Sequence, residues 1–246
     1  MRRDVLELRR FYATAKGRAV RELAGRKIVE SWGDVRGLDV LGLGYATPYL
    51  SLLGGEAGRV VAAMPGQQGV EAWPAGGSNL ACLTPEDALP FTNALFDRVL
   101  VVHAIEESPD AASLLEEVWR VLAPNGRVMV VAAARMGLWS DSEKTPFGHG
   151  RPYTRHQLEG LVRDAELEPT AWSRAVYVPP LDGLMPWADL FEQVGSRLWP
   201  GVSGLILLEA VKQTWAVKPK GVRVRRTRLA PVLLPTPVGV SPNRGQ

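Results

Sequence analysis

Cysteine and histidine are nearly missing from this 246-residue chain, which holds one Cys and three His. The lone Cys82 has no partner for an internal disulfide, which fits a reducing compartment. His103, His149 and His156 are scattered at spacings that give no ligand set, so no metal is expected. No apolar run approaches the roughly 20 residues that span a bilayer. Met1-Arg2-Arg3 runs into Asp4 and Glu7 rather than an apolar segment, unlike a secretory signal peptide. Internal repeats are absent too. The expectation from these absences is a cytoplasmic protein without membrane contact.

Acidic residues are also absent from one region: positions 211–246 carry eight Lys/Arg and no Asp or Glu. Residues 1–30 carry nine bases against four acids, and the middle, 31–210, has 12 bases and 22 acids, a net of −10. The net charge of +3 therefore hides an acidic body with basic ends. Such a body is a poor nucleic-acid-binding core. The ends either fold back on it or grip phosphate or an acidic protein.

What is present is ordinary globular material, 46% hydrophobic and 22% charged, long enough for one α/β domain with extensions. Residues 1–32 predict a helical extension, with an apolar stripe (Leu6, Phe11, Val20, Leu23, Ile28) interrupted near Thr14–Gly17. Residues 33–217 alternate strand and helix patterns. Strands are expected at 37–42, 59–63, 78–83, 96–103, 127–133, 170–178 and 205–217, and helices at 48–53, 110–122, 154–165 and 187–198. The helix at 154 opens on a capping-box-like Thr154-Arg155-His156-Gln157. Residues 218–246 form a basic, Pro-rich tail. The pattern is that of a doubly wound, mostly parallel sheet.

The most informative stretch is Leu38-Asp39-Val40-Leu41-Gly42-Leu43-Gly44-Tyr45-Ala46-Thr47-Pro48, an apolar strand breaking into a glycine turn before a helix. Such a turn lets backbone amides approach an adenosine-type ligand. A dinucleotide fingerprint would add a glycine at position 47, where Thr stands, and an acid after the second strand, which ends Ala62-Ala63-Met64-Pro65. NAD binding is therefore not expected.

Further on come Leu89-Pro90-Phe91, Phe96-Asp97-Arg98-Val99, His103-Ala104-Ile105-Glu106-Glu107 and Ala123-Pro124-Asn125-Gly126. With the glycine turn, this order resembles the class I S-adenosylmethionine-dependent methyltransferases, in particular the branch acting on quinones and other small molecules. The resemblance runs from about Gly37 to Pro169. It implies a Rossmann-like seven-stranded sheet whose last strand is antiparallel, and S-adenosylmethionine as cofactor. Carried over residue by residue, it implies cofactor contacts at Gly42, Gly44, Tyr45, Ala46, Met64, Pro65, Glu86, Asp87 and His103.

The departures are specific. The family pattern has an acid at the position of Gly42 and glycines at those of Ala46 and Pro48. It places an acid that grips the ribose near Met64, and an Asp beside adenine at the position of Pro85. His103 is either a general base or a packing residue beside the cofactor. Glu106 and Glu107 read as solvated or helix N-terminal acids. No Asn/Asp-Pro-Pro-Tyr motif follows the fourth strand, which argues against base-amino methylation of nucleic acid. His149, Arg151 and Tyr153 are the expected acceptor-binding residues, and Tyr12 is expected to cover the pocket from the N-terminal helix. The expected activity is methylation of a small molecule or a protein. The alternative is a non-catalytic binding or assembly factor whose basic termini contact an acidic partner or RNA.

Overall fold

A computed structural model describes residues 2–53, 57–199 and 201–213; the predicted tail, 218–246, lies outside them. Two helices come first, α1 (Val5–Ala13) and α2 (Ala15–Trp32), broken at Thr14. That residue is extended, and its hydroxyl accepts the Gly17 amide, which caps α2. Seven strands follow: β1 (Asp39–Gly44), β2 (Arg59–Pro65), β3 (Ala81–Thr84), β4 (Phe96–Val102), β5 (Leu122–Ala133), β6 (Leu167–Ala175) and β7 (Leu205–Lys212). Between them lie α3 (Thr47–Leu50), α4 (Ala111–Val121), α5 (Arg155–Asp164) and α6 (Ala188–Leu198).

The strands form one sheet in the order β3-β2-β1-β4-β5-β7-β6, with only β7 antiparallel to its neighbours. This is the expected class I methyltransferase fold. Successive side chains alternate faces. Val40, Met64, Leu100 and Val102 pack toward α1 and α2, while Leu41, Leu43, Val99 and Val101 pack toward α4 and α5. Burying Leu114, Leu115, Val118 and Val121 along one side of α4 contributes about 1.5–3 kcal/mol per side chain. Asp110 caps that helix, and the capping box opening α5 is complete, with Thr154 and Gln157 bonded reciprocally.

Several boundaries differ from expectation: α3 stops at Leu50, β3 covers Ala81–Thr84, and β5 begins at Leu122, through the Ala123–Gly126 stretch expected to turn. Two others differ for a physical reason. β1 runs through both glycines to Gly44, because β2 and β4 flank it and pair it along its length. The turn proper is therefore Tyr45–Ala46. β6 starts earlier, at Leu167, and passes through Pro169 with a register shift; an edge strand tolerates the missing N–H.

Candidate active site

The strand order reverses between β1 and β4, and in open α/β sheets the crevice outside the carboxyl ends at such a point is where ligands bind. Four chain segments form its floor: Gly44–Ala46 at the end of β1, Met64–Gln68 at the end of β2 and beyond it, Pro85–Asp87 after β3 and His103–Glu107 after β4. Gly44 has φ +85°, and a Cβ there would stand 2.1 Å from the Val102 carbonyl oxygen, so only glycine lets β1 lie this close to β4. The Tyr45 amide then bonds that same carbonyl at 2.8 Å. His103 takes a left-handed conformation (φ 51°), uncommon for a residue with a side chain and frequent at functional sites.

Tyr12, expected to cover the pocket, sits inside it. Its hydroxyl lies 2.9 Å from His103 Nε2 and 3.0 Å from the Tyr49 hydroxyl. Its ring stacks on Tyr45 with centroids 5.6 Å apart. Phe147 closes on the His103 ring at 4.6 Å, and Phe11 and Trp139 complete an aromatic wall. Burial pushes the Tyr12 phenol well above its usual range and drops the His103 imidazole to about 3. At neutral pH this chain of polar groups therefore carries no charge. The Tyr45 hydroxyl donates to Glu71 at 2.8 Å, and Glu71 also faces Arg9 at 3.6 Å.

The other end of the crevice is ionic. The Arg2 guanidinium pairs with Glu86 and donates to the Ala104 carbonyl at 2.8 Å. Glu86 also accepts from the Ser108 hydroxyl at 2.6 Å. Met64 and Pro65 are buried, Asp87 is exposed, and a cleft of about 300 Å³ opens beside Pro65, Pro85, Glu86 and Asp87. Gln68 is 1% exposed, and neither polar atom of its side chain has a hydrogen-bond partner.

The residues expected to bind an acceptor divide. His149 is half-buried against the Glu143 carbonyl, at 2.9 Å, and the Arg3 guanidinium. Arg151 is exposed, its guanidinium 5.7 Å from the Tyr153 ring centroid. Tyr153 is buried; its hydroxyl bonds the Ile105 carbonyl and its backbone bridges β5. Glu106 corrects its expectation as a solvated acid, being 7% exposed. It accepts from the Ala133 amide at 3.0 Å, and burial raises its carboxyl to about 7. The 146–153 segment folds over it, joined by the Arg151 amide to the Glu106 carbonyl at 2.8 Å. Glu71, Gln68 and Arg2 escape sequence reasoning, because each is brought in by a loop or terminus with no period of its own.

The floor suits an adenosyl ligand in its chemistry. Gln68, in the turn after β2, keeps unpaired donor and acceptor atoms, and the Glu86 carboxylate, now held by Arg2 and Ser108, is of the kind that binds hydroxyls and an exocyclic amine. The roof does not, because α1 fills the space above Gly44–Ala46 and His103. The floor therefore fits the cofactor only with α1 displaced.

Comparison with known proteins agrees with this architecture. Residues 38–130 match the family model described as a methyltransferase domain. No curated protein matches the chain. Among solved structures, a methyltransferase of Haloferax volcanii in complex with the Trm112 activator superposes with TM-score 0.60 at 20% identity, covering 87% of this chain and all of that one (100%). A SAM-dependent methyltransferase of Thermotoga maritima gives 0.57 at 17% identity, covering 85% and 96%. The [4+2]-cyclase SpnF gives 0.54 at 17%, covering 78% and 80%. At these identities the likeness is one of fold.

Proposed function

We propose, from the premise that residues 38–130 of this chain are a class I S-adenosylmethionine-dependent methyltransferase domain, that it binds this cofactor in the crevice outside β1 and β4 and methylates a small molecule or a protein. The observation that carries this reading is the crevice floor. It sits at the switch point and is bordered by the Glu86 carboxylate after β3 and by the turn after β2, where Gln68 is buried with both side-chain polar atoms unsatisfied. When bound, S-adenosylmethionine supplies a methyl group already activated on a sulfonium.

Positioning then supplies much of the acceleration, and no strong base is required. Gly44, Tyr45 and Ala46 bring backbone to the ligand beside Gly42, while Met64 and Pro65 pack against it. Glu86 and Asp87 flank its far end. His103, neutral at physiological pH, acts here as a positioning residue, since a base near pKa 3 is poorly matched to proton removal at neutral pH. His149, Arg151 and Tyr153 rim the acceptor side, and Tyr12 gates it. Having Met64 where the family pattern places an acid removes a charge-assisted contact of about 1.5–3 kcal/mol, which corresponds to roughly 10- to 150-fold in affinity. Calorimetric titration with S-adenosylmethionine and S-adenosylhomocysteine tests the reading; no heat at millimolar ligand refutes it.

A second reading, a non-catalytic assembly factor, is favoured by one observation: Tyr12 already fills the space above the β1 turn. On that reading the basic C-terminal residues contact an acidic protein or RNA. Deleting 218–246 would then abolish partner capture, and RNA retention would fall steeply with salt.

A further inference from the structure

The segment Arg2–Tyr12 touches the loops after all four strands that border the crevice. Arg2 holds Glu86, after β3, and the Ala104 carbonyl, after β4. The Arg3 amide bonds the Glu107 carboxylate. The Val5 amide bonds the Gln68 carbonyl, after β2, at 2.8 Å. Tyr12 stacks on Tyr45, after β1, and bonds His103. These are the groups that an occupant of the crevice would use.

Occupation by the chain's own terminus is chemically incomplete. Both polar atoms of Gln68, Oε2 of Glu106 and Nε of Arg2 are buried without partners. Unpaired buried polar atoms are costly and few in native proteins. A ligand richer in hydroxyls and amines than α1 satisfies such groups better. The covalent link is also short: a single residue, Thr14, joins α1 to α2, its hydroxyl donating to the Phe11 carbonyl at 2.6 Å, and Gly17 packs close against Phe11 and Tyr12.

We infer that Arg2–Tyr12 is an intramolecular plug that competes with the cofactor for the crevice, swinging out about Ala13–Thr14 when ligand enters. This deepens the methyltransferase reading and rests on it. A plug differs from a lid in sign. A lid closes over bound ligand, so weakening it weakens binding; a plug excludes ligand, so weakening it tightens binding by the fraction of molecules it releases.

The experiment uses the full chain and two variants, Arg2→Ala and Tyr12→Phe, which cut one tether each and leave the apolar contacts of α1 in place. S-adenosylhomocysteine is titrated calorimetrically, folding is checked by circular dichroism, and amide exchange across residues 5–13 is followed with and without ligand. The expected result is binding about tenfold tighter or more in at least one folded variant, following the released fraction, with faster exchange in α1 of the unaltered chain when ligand is present. Equal or weaker binding by both variants, or protection of α1 by ligand, overturns the plug and leaves the methyltransferase reading standing. No binding by any of the three at millimolar ligand overturns both.

Discussion

Glu106 lies in the segment after β4, with one oxygen on the amide of Ala133, the last residue of β5, and the other without a partner. Its carboxyl titrates near 7 because burial disfavours the charged form, with the nearby Glu107 adding to the shift against the lowering hydrogen bonds and Arg2. A carboxyl raised on folding favours the native state most below its unfolded pKa, near 4.3, and that benefit is lost as pH rises through 7. Glu106→Gln keeps an acceptor for the Ala133 amide and removes the charge. It is expected to match the parent in stability at pH 4 and to exceed it at pH 9 by up to roughly 3 kcal/mol, at 1.36 kcal/mol per pKa unit, with a correspondingly higher melting temperature. Calorimetric melts at the two pH values decide this, and a constant difference would show that Glu106 is paired when ionised. Met64 offers the converse test. It is fully buried at the end of β2, so Met64→Asp places a carboxylate in an apolar setting and should cost on the order of 2–4 kcal/mol without ligand. If that position borders the ribose, S-adenosylhomocysteine should raise the variant's melting temperature by more degrees than it raises the parent's.

At the scale of elements, the α1–α2 junction depends on Gly17. A Cβ there would stand 2.1 Å from the Phe11 carbonyl oxygen and 2.4 Å from the Tyr12 Cα, both backbone atoms that have no rotamer escape. Gly17→Ala is therefore expected to push α1 off α2, at about 1–3 kcal/mol as for other overpacked sites. Exchange should quicken over residues 5–13 while the β1, β4 and β5 amides keep their protection. Uniform loss of protection would mean that α1 and the sheet unfold as one unit. The break between the two helices was legible beforehand, since the apolar stripe falters between Thr14 and Gly17. The end of β1 was not. Gly42 and Gly44 read as a turn in one dimension, yet parallel neighbours on both sides extend the strand through them. α4 and the 127–133 part of β5 were legible because their apolar periods are unbroken, whereas Leu122–Gly126, read as a helix end and turn, belongs to the strand. Tyr12 and Glu106 were only partly so and Arg2 not at all, since what they touch is fixed by the tertiary path of the N-terminus and the 146–153 segment.

For the whole molecule, a mostly parallel seven-stranded sheet with an antiparallel last strand followed from the alternation of strand and helix patterns together with the family resemblance. The strand order itself came from the structure, and the charge distribution was readable from composition alone. What composition could not give was the seating of one basic end: Arg2 turns inward to Glu86, and Lys16 and Arg26 pair with Asp182 and Asp189, so the N-terminal charge is partly spent on the acidic body. The C-terminal charge is separable by a cut. Residues 218–246 carry seven Lys/Arg and no acid against +3 for the full chain, so removing them leaves a net charge of −4 at pH 7. The full chain, with a pI near 9.2, should bind a cation exchanger at pH 7.5, and the truncated chain should pass through it and bind an anion exchanger. Heparin retention should follow the same division and weaken with salt over the range in which exposed charges are screened. Because net charge governs association rather than fold, truncation should leave the melting temperature of the 2–213 body within about 2 °C, a change under 1 kcal/mol for a chain of this size. A larger drop would show that the basic residues stabilise the acidic body, in which case they would not be free to recruit a partner.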